Sequence, residues 1–188
     1  IDKKSINIYG GEIKNFFQVP FFRKDLIKNK NNGISNELKR YLKEFDKVIL
    51  FAPSKINKKQ FKPISLELVE KTILVLNKIV NENRNILVII KEKKGELEYI
   101  NNNLKMLILN SKNFYTISSK NPKLLENNQF EEIIPECNLL LTLTSTSTTI
   151  LQSLDKNIPF VTINEDHPKS FYKQYENCEV DLKNINEV

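Results

Sequence analysis

Short apolar runs separated by amphipathic stretches organise this chain. Residues 48–51 (VILF), 86–90 (ILVII), 114–117 (FYTI), 139–143 (LLLTL) and 160–163 (FVTI) are nearly unbroken by polar side chains. Runs of this kind, without the strict alternation of a half-exposed strand, suit strands buried on both faces, as in a parallel sheet. Between them the apolar positions recur at helical spacing. Ser35 is placed to cap a helix reaching about Phe45, with Leu38, Tyr41, Leu42 and Phe45 on one face. Ser65 opens a longer helix to about Asn83, with Leu68, Thr72, Val75, Leu76 and Ile79 turned inward. Gly95 begins a helical segment to about Leu109, residues 130–134 form a short amphipathic stretch, and residues 147–155 form a further helix. Asn101, Asn102 and Asn103 read as loop, as do Asn127 and Asn128. Strand and helix in alternation predict a Rossmann-like α/β fold, a parallel sheet with helices on both faces.

Residues 1–34 stand outside that alternation. They offer a short strand at 6–9, the Gly10-Gly11 pair and four phenylalanines, Phe16, Phe17, Phe21 and Phe22, around Pro20. So many aromatics need a surface to bury them, either the main sheet or another domain. The expected organisation is an irregular lead-in over 1–34, of interdomain character, followed by one α/β domain over 35–188. The chain opens on Ile without the basic-then-apolar layout of a secretion signal, and its tail DLKNINEV carries no capping glycine. Both features lead us to expect a piece of a longer protein.

Composition narrows the function classes. Hydrophobic residues at 40% and charged residues at 28% are globular values, and the apolar runs are far too short to cross a bilayer. A net charge of +6 and a pI near 9.1 raise the question of polyanionic partners. Lysines are spread along the whole chain among acidic residues, with Lys91, Lys93 and Lys94 as the densest cluster. That favours a solvated surface over nucleic-acid binding, which uses basic and aromatic residues interleaved on one face. Cys137 and Cys178 form no metal or redox motif and fit a reducing cytoplasm, with a disulfide left open. His167, the only histidine, precedes Pro168 in a polar loop and reads as a helix-capping turn rather than a metal ligand or base. With four glycines in all, the chain has no dinucleotide fingerprint, and HExxH and Ser-His-Asp arrangements are also missing.

The chemistry concentrates in NLLLTLTSTSTTILQSLDKNIPFVTIN, residues 138–164, where six consecutive hydroxyl residues from Thr144 to Thr149 join a strand to a helix. In a parallel sheet such a turn lies at the carboxyl end of a strand. There the free N–H groups and positive end of the next helix favour an anion, and Ser and Thr add donors. A simple helix cap is the competing reading, but six hydroxyls exceed what a cap needs. Three other strand ends carry hydroxyl or cationic groups: Ser54 and Lys55 after 48–51, Lys91 after 86–90, and Ser118, Ser119 and Lys120 after 114–117. Lys91 reads equally well as a solvated charge. Their recurrence at strand ends points to a phosphate or diphosphate ligand.

The succession VILFAPSK, a long helix, ILVIIKEKKGE, then FEEIIPECNLLLTLTSTSTTILQSLDKNIPFVTIN resembles the carboxy-terminal, donor-binding domain of GT-B glycosyltransferases. It looks most like those of bacterial surface and capsular polysaccharide synthesis, near the CDP-glycerol glycerophosphotransferase group. The resemblance covers residues 48–164, about two thirds of the chain. Two departures stand out: Glu92-Lys93-Lys94 where a His-Pro pair is usual, and Gln152 where related transferases carry a Glu that binds ribose. The resemblance implies that Ser145, Thr146, Ser147 and Thr148 hold the diphosphate of a nucleotide-sugar donor. Lys91 would add positive charge, Ser54 would lie on the same rim, and Gln152 would approach the ribose. It implies no metal and no cofactor beyond the donor substrate. A glycan or lipid-linked acceptor and the catalytic base would come from an amino-terminal domain outside this chain. It further implies a cytoplasmic location, with the whole protein peripheral to the inner face of the membrane. Two other classes stay open: half of a nucleotide-sugar epimerase, and a non-catalytic α/β module that binds a phosphorylated ligand or a partner protein.

Overall fold

Among the described residues four of the six strands begin where an apolar run begins, and a fifth extends its run, 48–51, by one residue at each end. The computed structural model describes residues 33–53, 65–92, 95–118, 128–143, 148–164 and 179–181, with only the backbone at 148, 164 and 179–181. Residues 1–32, with the four phenylalanines and the expected strand at 6–9, lie outside the described residues. β1 (Lys47–Ala52) is buried at every residue after Lys47, and β2 (Ile86–Lys91) from Leu87 to Ile90. β3 (Phe114–Ile117), β4 (Leu139–Thr142), β5 (Phe160–Asn164) and β6 (Glu179–Asp181) complete the set. All pair in parallel in the order β3-β2-β1-β4-β5-β6. Side chains alternate across a strand, so this sheet needs apolar cover on both faces.

The helices supply that cover in two groups. α1 (Asn36–Glu44) starts at Ser35, whose Oγ accepts from the Leu38 N–H at 3.2 Å. α2 (Leu66–Glu82) starts at Ser65, whose Oγ accepts from the Leu68 N–H at 3.1 Å. α3 (Asn102–Asn110), the single-turn α4 (Phe130–Ile133) and α5 (Thr148–Asp155) follow. On one face Leu68, Val69, Ile73, Leu76 and Val80 of α2, with Leu104 and Ile108 of α3, pack on Ile49, Phe51, Val88, Ile90 and Leu141. On the other, Leu38 of α1, Ile133 of α4 and Ile150 of α5 pack on Val48, Leu50, Leu87, Ile89 and Leu140. The fold is therefore a Rossmann-like α/β half-fold with helices on both faces. Ser65→Ala is expected to cost ~1 kcal/mol of stability in a urea titration, because it leaves an N–H of the first turn of α2 without its acceptor. An unchanged midpoint would show that the cap is dispensable.

Four expectations change. The helix foreseen from Gly95 to about Leu109 is two pieces: a 3-10 turn over Glu96–Glu98, then α3. Gly95 sits at φ +79°, a left-handed value that a glycine adopts without strain, and Asn101 restarts the helix by accepting from the Asn103 N–H at 2.8 Å. Asn101, Asn102 and Asn103 are thus a cap and a first turn, not a loop. The buried stripe of α2 is rotated: Val69, Ile73 and Val80 are buried, while Val75 and Ile79 are only half-buried. β6 has no counterpart among the apolar runs.

Candidate functional site

The strand order creates a switch point. From β1 the chain goes to α2 on one face, and from β4 it goes to α5 on the other, although β1 and β4 are neighbours with Ala52 opposite Thr142. Connections that diverge to opposite faces leave a crevice outside the carboxyl ends of those two strands, the usual ligand position in open parallel sheets. The segments leaving β1 and β4 are those that contain Ser54 and the hydroxyl run. Ser54, Ser145, Thr146 and Ser147 themselves lie outside the described residues, as do Ser119, Lys120, Lys93, Lys94 and His167. Thr148 is the first residue of α5, described by its backbone alone.

Two of the expected site side chains, those of Lys91 and Gln152, are described, and one carboxylate links them. Lys91 ends β2 on the face shared with α1, α4 and α5, and its Nζ donates to the Asn128 carbonyl at 2.9 Å. Burial lowers its pKa from 10.5 to about 8, and the charge of Glu131 works against that shift. Gln152, on α5, donates from Nε2 to Glu131 Oε1 at 2.6 Å. Glu131 belongs to the first turn of α4, and sequence reasoning did not single it out. The only signal for it in the chain is its position in an acidic pair, Glu131-Glu132, at a helix start, a common arrangement.

Residues 128–132 fasten this rim to the rest of the fold. Asn128 Oδ1 accepts from the Ser35 N–H at 3.0 Å, and Glu132 Oε1 accepts from the Gly33 N–H at 3.0 Å. Gln129 and Glu132 complete a capping box at the start of α4. α1, β2, α4 and α5 therefore meet at the carboxyl edge through one five-residue segment.

The position after Lys91 has a different task. Glu92 is buried, and its Oε1 accepts from the Leu97 N–H at 2.7 Å, so its carboxylate caps the 3-10 turn on the opposite face. Where the resembled family carries a His-Pro pair, this residue secures local structure. Thr142 and Thr162 stand opposite each other in β4 and β5, and both hydroxyls are buried, as is that of Ser153 on α5. Polar character thus continues inward from the end of β4.

Among the described residues no group of three or more His, Cys, Asp or Glu side chains is arranged to hold a metal ion. No described helix is long and apolar enough to cross a membrane. No protein-family model matches the chain, and no curated protein matches it.

Proposed function

We propose that this domain binds a phosphorylated ligand at the β1–β4 switch point and, in finer terms, that it is the donor-binding half of a glycosyltransferase or sugar- or glycerol-phosphate transferase of bacterial surface-glycan synthesis. The observation that carries the reading is the strand order β3-β2-β1-β4-β5-β6, in which the strand that leads into six consecutive hydroxyl residues is a neighbour of β1. A hydroxyl run before a helix is common. One that follows a strand at the switch point, its last two residues opening α5, supports a phosphate cradle.

In this reading the amide end of α5 and Ser145, Thr146, Ser147 and Thr148 receive the diphosphate of a nucleotide-sugar. Ser54, which follows β1 in the chain, would add a further hydroxyl, and Lys91 and Gln152 form the rim towards β2. The contribution of such a domain to transfer is electrostatic: donors already in place stabilise the charge that grows on the leaving diphosphate. The acceptor glycan or lipid and the catalytic base belong to a second domain.

Thermal shift and calorimetry with UDP, CDP, GDP and CMP conjugates test the reading, and one base is expected to stabilise the fold most. The double change Ser145→Ala with Ser147→Ala should weaken that binding by about tenfold or more while leaving the melting temperature within about 2 °C. If the double variant instead loses much stability and keeps its affinity, the hydroxyls are helix caps and the reading fails.

A further inference from the structure

The rim that the reading above assigns to an anionic ligand already holds an anion. Glu131 engages the Gln152 amide at 2.6 Å and acts on the Lys91 ammonium, the two described side chains whose donors would meet a phosphoryl group there. Each keeps spare capacity. An ammonium has three N–H donors, of which the Asn128 carbonyl takes one, and a side-chain amide has two, of which Glu131 takes one. Glu131 is half-exposed rather than locked in the core. Its helix is one turn long, and no described contact other than that with Gln152 fixes its carboxylate.

We propose that Glu131 is a built-in competitor for the anionic ligand: in the ligand-free protein its carboxylate takes the Gln152 amide and offsets the charge of Lys91, and an arriving phosphoryl group displaces it from both. This rests on the reading that the switch point binds phosphorylated ligands. The consequence runs opposite to that of an ordinary site residue, because removing the Glu131 charge improves binding. The competing carboxylate also favours ligands with enough negative charge to displace it, such as diphosphates, over singly charged ones.

Sodium pyrophosphate titrated calorimetrically into the full chain provides the test. Glu131→Gln keeps an acceptor for Gln152 and removes the charge, and it should tighten pyrophosphate binding ~5- to 10-fold, the size expected for one partly screened charge at this range. In a Lys91→Met background the same change should give less than about a twofold gain, since the charge that Glu131 offsets is gone. If Lys91→Met does not fold, Lys91→Gln, which removes the same charge and keeps a polar side chain, serves as the second background. Unchanged or weaker binding by Glu131→Gln overturns the proposal, and so does an equal gain in both backgrounds, which would reduce Glu131 to a through-space repulsion. In either case pyrophosphate binding by the unaltered chain leaves the phosphate site standing. Should the unaltered chain bind neither pyrophosphate nor any nucleotide of the panel, the site itself falls and the competitor with it.

Discussion

Phe51→Ala is expected to remove about 3–5 kcal/mol of stability, the range for truncating a large aromatic side chain in a core that cannot collapse around the void. Phe51 is fully buried in the central strand, in register with Ile90 of β2 on one side and Leu141 of β4 on the other. All three side chains face α2, so the lost ring opens space bounded by two neighbouring strands and a helix. Strands held by ladders on both sides move together poorly, and relaxation would recover little. Because domains of this kind have a total stability of about 5–15 kcal/mol, such a loss is a large part of the whole. Urea titration reads it directly. Leu109→Ala is the control, because Leu109 is 75% exposed and its truncation should change stability by less than about 0.5 kcal/mol. A loss below about 1 kcal/mol at Phe51 would mean that β1 is not the buried centre of the sheet. The position also bears on function. Phe51 lies one residue before Ala52 at the switch point, so under the proposed function a variant that still folds should bind phosphorylated ligands less well.

The elements that a single stretch of chain dictates were legible, and those that depend on distant partners were not. Leu50 and Ile89 could be read as buried because an unbroken apolar run has no polar residue to spare for a solvated face. Ser35 and Ser65 could be read as caps because the cap is a contact three residues long. β6 escaped because Glu-Val-Asp is three residues with two charges, and it pairs with β5 alone, so only tertiary pairing makes it a strand. The break before α3 follows from Gly95 and Asn101, each ordinary within a helical pattern until its backbone angle is known. Strand order is likewise invisible to periodicity, yet it is the strand order that sets the end of β4 beside the end of β1. Lys91 stood out as a possible ligand donor because a strand end is a local signal, whereas Gln152 was named only through the family resemblance. Glu131 did not stand out, since its importance lies in contacts with residues 21 positions ahead and 40 behind.

Alkaline pH should separate two groups, half-buried Lys91 and buried Cys137, that act in opposite directions. Lys91 has its pKa lowered from 10.5 to about 8, chiefly by burial. Between those values the unfolded chain keeps a proton that the folded form has released, so stability rises with pH, by at most about 3 kcal/mol before solvent screening trims it. Cys137 is the reverse case. Its buried thiol donates to the Ile133 carbonyl at 3.2 Å, and burial, with the charge of Glu136 adding to it, raises its pKa from 9.0 to about 12. Above pH 9 the unfolded chain loses a proton that the folded form retains, so stability falls, by up to about 4 kcal/mol at the upper end. Tyr115, raised from 10.0 chiefly by burial, adds to that fall at the top of the range. The Lys91 gain therefore acts alone only between about pH 8 and 9, the two effects offset each other above that, and the stability of the unaltered chain should level off above about pH 9 and fall beyond about 10.5. Denaturant titrations from pH 7 to 11 on three proteins isolate each group, because the general alkaline response of the remaining lysines cancels in the differences. Lys91→Met should abolish the rise above pH 8, leaving only the later decline, whereas Cys137→Ala should let the rise continue towards 10.5. A rise that survives in Lys91→Met would mean that the ammonium is solvated rather than held against Asn128, and the rim would then be an open charged surface instead of the fastened junction that Glu131 and Gln152 require.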